Sequence, residues 1–286
     1  MTPGTVPAHP PRPPRSRRRR RRRSPGWVPD QHGAWAMLAV PFVVGTLAGG
    51  PAPVHVLLAV LWVVGYLDFY AVGLWLRSRR KARYLPPVRA WSIALVVPAA
   101  AVLVLCPALV LWAPVFLPLV VTSLWCSHAR RDRSLLNDGV TILAACLMLP
   151  VAFSAGLPHA SLHDVGGWLG AATAPGWSQV GAATGMVLAY FFGTALYVKT
   201  LVRRRGDLWF RAVSVDYHAV VTVVVAWAAW AAGRPWWPVA AVFVLLTARS
   251  WWVPRTAAKP LQFGLGELAA SVVVGILALG VVGVLG

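Results

Sequence analysis

Residues 53–83 read PVHVLLAVLWVVGYLDFYAVGLWLRSRRKAR: 24 residues with a single charge, Asp68, run into a turn holding Arg77, Arg79, Arg80, Lys81 and Arg83. A helix of about 20 apolar residues rises about 30 Å, the thickness of a bilayer's hydrocarbon core. Lys and Arg gather on the cytoplasmic side of such spans. This stretch therefore predicts a transmembrane helix that ends at the cytoplasm. The rest of the chain repeats the pattern.

Further apolar segments fall at about 34–50, 88–105, 107–126, 138–157, 177–198, 214–232, 236–253 and 264–285, so nine spans are expected in all. Pro107, Pro114 and Pro118 interrupt the fourth, which is tolerable where neighbouring helices satisfy the freed carbonyls. Charge provides a check on the count. With the N-terminus inside and the C-terminus outside, every Lys and Arg except Arg234 falls in the N-terminal tail or in the inner segments 77–89, 127–137, 199–213 and 249–259. One span too many or too few would invert each later loop. The longest outer loop, 158–176, has no Lys or Arg and carries His159, His163 and Asp164.

The whole chain has 286 residues, 58% hydrophobic and 12% charged, with mean hydropathy +0.65. Soluble domains carry about 25% charged residues, so a soluble globular protein is excluded. The fold class expected is all-α, a polytopic transmembrane bundle over 30–286 in a cell membrane. Residues 1–29 hold Pro10, Pro11, Pro13, Pro14 and the run Arg17 to Arg23. Such a block self-repels and has nothing to bury, so a disordered tail is expected that orients the protein and touches anionic lipid rather than nucleic acid. Cys106, Cys126 and Cys146 have no C-x-x-C spacing, and the seven His are scattered, so no metal site is expected.

An ionisable group inside a span costs roughly 2.5–3.5 kcal/mol on insertion scales and needs a partner or a purpose. Asp68 lies nine residues before Arg77, roughly 13 Å below the helix end, with no cation one turn away on its own helix. Its partner must come from another helix, either as a packing hydrogen bond or as a ligand contact. Arg133, Asn137 and Asp138 precede the fifth span, where Asn137 or Asp138 is placed to cap the helix. Lys199 and Arg203 to Arg205 follow the sixth span, where they serve as an inside signal or as a clamp for phosphate. Glu267, the only Glu, is a first-turn charge or a proton-relay group. The first span opens with Pro29-Asp30-Gln31-His32-Gly33-Ala34-Trp35-Ala36-Met37, which sets a carboxamide, an imidazole and an interfacial Trp at a helix N-terminus, where anions are favoured.

That opening motif, continued through Pro41 and Phe42, resembles the YwiC-like family of bacterial membrane proteins. The stretches Arg131 to Asp138 and Phe192 to Thr200 are similar to segments of the same family. More distantly, the layout resembles UbiA-type intramembrane prenyltransferases, whose members hold Mg²⁺ and a prenyl diphosphate with two Asp-rich motifs. The first of these, D-x-x-D-x-x-x-D, would begin at Asp68 but reads Ala71 and Trp75 at its later positions. The second reads Arg203-Arg204-Arg205-Gly206-Asp207. The resemblance implies a bundle with a cavity open to the cytoplasm and, if it is an enzyme, a prenyltransferase-like transferase. The cations favour an isoprenoid or phosphate-bearing lipid bound directly by Arg and Lys, with Gln31, His32, Trp35, Asp68, Arg133, Asn137, Asp138, Lys199 and Arg203 as candidate ligand contacts. A proton- or cation-coupled transporter using Asp68 and Glu267, and a scaffold for another membrane complex, are the alternatives.

Overall fold

The computed structural model describes residues 26–29, 32–157, 176–231, 237–256 and 260–284. The Arg-rich run, Gln31, the 158–175 part of the outer loop, Arg234 and Lys259 lie outside the described residues, as do the side chains of His32, Pro260 and Leu261. The helices run α1 (His32–Gly49), α2 (Pro53–Arg77), α3 (Leu85–Leu105), α4 (Ala113–His128), α5 (Leu135–Cys146), α6 (Met148–Gly156), α7 (Trp177–Val202), α8 (Leu208–Ala231), α9 (Trp237–Trp252) and α10 (Pro260–Val281). Short 3₁₀ segments occupy Ala82–Tyr84, Pro107–Trp112 and Val253–Arg255. Among the described residues there is no strand, and seven segments are long and apolar enough to cross a membrane. α1 and α9 are the shorter members.

Proline explains where the helices depart from the expected spans. The fifth span is two helices, because the ring of Pro150 clashes with the carbonyl four residues back, at Cys146, where α5 gives way to α6. The fourth begins as 3₁₀ helix at Pro107 and becomes α-helical only at Ala113.

α5–α6 and α7 form the centre, each more than half buried, while the outer spans bury less than a quarter of their length. α1 and α10 close around this centre. Val44, Cys146, Leu149, Phe153, Val187, Phe191, Val274 and Ala278 make its core. On one side α2, α3 and α4 form a wing over a second core of Leu58, Val102, Leu109, Met148 and Val151. On the other, the α8–α9 hairpin packs mainly against itself and α7. Large apolar side chains point outward from both wings: Val97 of α3 is 73% exposed and Trp230 of α8 is 80% exposed. A contiguous surface of this kind is stable only in an apolar solvent.

α1 and α6 meet backbone to backbone. A Cβ added at Gly45 would sit 2.9 Å from the carbonyl carbon of Leu149, and one at Gly49 would sit 2.9 Å from Phe153 Cα. Residues without side chains, one turn apart, let two backbones approach this closely. His55 joins α2 to the same place, its Nε2 donating to the carbonyl of Ala152 (2.9 Å).

Candidate functional site

Two of the basic turns are built alike. At the end of α2, the Arg79 amide donates to the carbonyl of Leu76 (3.0 Å) and the Arg80 amide to that of Trp75 (2.9 Å). At the end of α4, the Arg130 amide donates to Ser127 (3.1 Å) and the Arg131 amide to Cys126 (2.6 Å). This is the Schellman cap, whose first residue past the helix is left-handed and is commonly Gly. Here Arg79 (φ 62°), Arg80 (φ 57°) and Arg130 (φ 58°) take that conformation instead. An L-residue pays roughly 1–2 kcal/mol to do so.

Between the two turns lies a cleft of about 480 Å³ lined by Arg77, Arg79, Lys81, Arg83 and Arg130 with Ser78, Tyr84 and Leu74. No carboxylate is among the lining residues. Arg77 Nη1 donates to Asp132 Oδ2 at 2.6 Å, which ties α2 to the 129–134 turn. The Arg83 guanidinium lies 4.7 Å over the Tyr84 ring and donates to its hydroxyl (2.9 Å). Among the described residues, no carboxylate pairs with Arg79, Lys81, Arg83 or Arg130 of this wall, so the cleft is strongly positive.

The residues singled out in the sequence divide. Arg133, Asn137, Asp138, Lys199 and Arg203 come together at the basic ends of α5 and α7. Lys199 pairs with Asp138 and donates to the carbonyl of Arg133 (3.1 Å), and Arg203 adds to the positive field at Asp138. Asn137 Nδ2 donates to the carbonyl of Asp132 (3.0 Å), and its Oδ1 accepts from Ser123 (2.7 Å). The helix cap expected at Asn137 or Asp138 is corrected to Ser134, whose Oγ accepts from the Asn137 amide (3.2 Å). The helix opens with Leu135 and Leu136, and the polar pair Asn137 and Asp138 behind them, followed by Gly139, broke the apolar run and hid its beginning. Asp138 nonetheless lies in that first turn, where a carboxylate is favoured.

Asp68 and Trp35 lie elsewhere. Asp68 accepts from Ser92 of α3 (2.9 Å), so its partner does come from another helix. Trp35 packs edge-on against Tyr66. Gln31 and the His32 side chain lie outside the described residues. Asp207, the remaining acid of the second Asp-rich motif, accepts from the Phe210 amide (3.0 Å) and pairs with Arg204 (3.4 Å), so it is occupied at the start of α8.

A further cluster lies within the bundle. Arg249 of α9 pairs with Glu267 of α10, which also accepts from Thr194 of α7 (2.9 Å). The Arg249 guanidinium lies 4.3 Å over the Tyr197 ring. Tyr190 donates to the Glu267 carbonyl (3.2 Å). Sequence reading grouped Arg249 with the loop cations, since it stands within one turn of the end of α9.

Apolar helices around a buried centre, joined by basic turns, define a multi-pass membrane protein with cation-rich sites at one end and an ion pair inside. The family YwiC-like protein matches residues 28–153. The chain is 30% identical to "Uncharacterized protein YwiC" of Bacillus subtilis (strain 168) over 198 residues, which is 68% of this chain and 74% of the relative. It is 27% identical to "Uncharacterized protein" of Haemophilus influenzae (strain ATCC 51907 / DSM 11121 / KW20 / Rd) over 260 residues, 88% of this chain and 97% of that one. The chain belongs to the YwiC-like family. No solved structure matches it.

Proposed function

We propose that the protein sits in the bacterial inner membrane with its basic end in the cytoplasm, and that the cleft between the α2 and α4 turns holds the phosphate-bearing headgroup of an anionic or isoprenoid lipid. The observation that carries this reading is the arginine at left-handed positions. Glycine would form both caps at lower cost, and left-handed arginine holds its charge at the mouth of a cleft already rich in cations. Backbone strain of this sort gathers where a ligand is bound. Five cations on about 480 Å³ suit a phosphate, which takes several charge-assisted hydrogen bonds. Leu74, one turn from the end of α2, gives the cleft an apolar edge on the side where an acyl or isoprenoid chain would enter the bilayer.

The test exploits the strain. Arg79→Gly together with Arg130→Gly removes two charges and relaxes two turns, so the variant is expected to be as stable as the parent or more stable by about 1–2 kcal/mol. Its lipid extract, analysed by mass spectrometry after purification, is expected to lose a phosphate-bearing species enriched in the parent. Retention of the same lipid at the same stoichiometry would refute the assignment.

A further inference from the structure

The pair of Arg249 and Glu267 spans the seam between the α8–α9 hairpin and the rest of the bundle. The hairpin meets that bundle chiefly through α7, and α9 touches α10 only sparingly. A guanidinium has five N–H donors, and its flat edges each match the two oxygens of a carboxylate or phosphate. Here Glu267 engages Nη1 alone. Nε and Nη2, which together form the other edge, are buried and meet no acceptor among the described residues. The guanidinium is nonetheless firmly placed, by Glu267 on one side and by the face of Tyr197 beneath it.

A pair serving only to hold two helices together is best made with two parallel hydrogen bonds, which satisfies the donors as well as the charge. In a low-dielectric interior, an oriented edge left over is costly. The geometry points to an intramembrane anion site: the Nε–Nη2 edge of Arg249 takes a carboxylate- or phosphate-bearing solute, with Glu267 as the resident counter-ion. Ligand and Glu267 then share one guanidinium, so their like charges repel and binding strengthens when Glu267 is neutral. The titratable groups around Glu267 are Tyr190 and Tyr197 of α7 and Arg249 of α9, with His218 of α8 in the electrostatic field of Arg249. Residues 33–49 of α1, which packs on α10 from another side, carry none. His218 is held toward this region by its Nδ1 donating to the carbonyl of Ser214 (2.6 Å), and Gly193 makes room for its ring.

This site stands apart from the cleft between the α2 and α4 turns. Its test uses the full chain in detergent micelles with ¹⁵N-labelled arginine. The Nε–H resonance of Arg249, identified by its loss in Arg249→Lys, is followed while butyrate or inorganic phosphate is titrated at constant ionic strength. A saturable shift of that resonance is expected with at least one probe, and which probe acts tells carboxylate from phosphate. Neutralising a charge a few ångströms away in the Glu267→Gln variant is expected to tighten Kd at least about tenfold. The shift is expected to persist in the Arg79→Gly, Arg130→Gly variant. Absence of any saturable shift in the parent protein with both probes would overturn the proposal. That titration stands alone should the Gln variant fail to fold. A tightening absent from a folded Gln variant would remove Glu267 from the site.

Discussion

Adding a single methyl group at Gly49 tests whether the backbone contact of α1 with α6 holds the centre together. The new Cβ would lie 2.9 Å from Phe153 Cα and closer still to the Phe153 carbonyl oxygen. Relaxed carbon–carbon contact is about 3.5–4.0 Å, so the helices must separate by close to 1 Å or tilt. Either motion loosens Val44, Leu149 and Phe153, which are buried against one another. Overpacking of this degree costs about 1–3 kcal/mol, and backbone atoms, unlike side-chain tips, have nowhere to turn. The built-in control is Gly185→Ala in α7. A Cβ there meets nothing within 4 Å, and Ala is favoured over Gly inside a helix by roughly 0.5–1 kcal/mol. Thermal unfolding in detergent, followed by tryptophan fluorescence, should therefore drop on the order of 5–10 °C for Gly49→Ala. It should stay level or rise for Gly185→Ala. Equal Tm values for the two variants would refute the close-approach argument.

Lys199→Met strands Asp138, whose side chain is 19% exposed, and should cost about 3 kcal/mol, much of it recovered in the double variant with Asp138→Asn; Arg77→Met, at a site 40% exposed, should cost no more than about 1 kcal/mol by the same unfolding assay. Sidedness is open to cysteine labelling, because Cys106, Cys126 and Cys146 are all buried and leave little background. Arg205→Cys should be shielded from an impermeant maleimide in intact cells and Gly283→Cys should react.

The apolar segments and basic turns could be read from the sequence because each is a property of about 20 consecutive residues. Breaks depend on single positions. Pro150 split one expected span in two, and Asn137 and Asp138, which interrupt the apolar run after Leu135 and Leu136, hid a helix start that Ser134 marks with its own side chain. Asn137, Asp138 and Lys199 stood out because charged and amide groups beside an apolar span need partners, but that Lys199 pairs with Asp138 and Asn137 with Ser123 depends on how the helices meet, which the sequence does not show. The cleft did not stand out. Its left-handed arginines occupy positions where sequence rules look for Gly or Asn. The importance of Gly45 and Gly49 was equally unread, although their four-residue spacing is a signal for close helix packing. Arg249 escaped notice because it lies near a helix end, where a cation has an ordinary explanation.

The intimate fit of α1 to α6 has a consequence for biogenesis. Gly49 and its neighbour Phe153 are separated by about a hundred residues of chain, which a ribosome delivers in roughly 5–20 s. For that interval the bare groove of the first rod has only lipid, or an attendant insertase, to rest against. The middle of the chain is thus the keystone, and a truncation released before it emerges should be recognised as orphaned and destroyed.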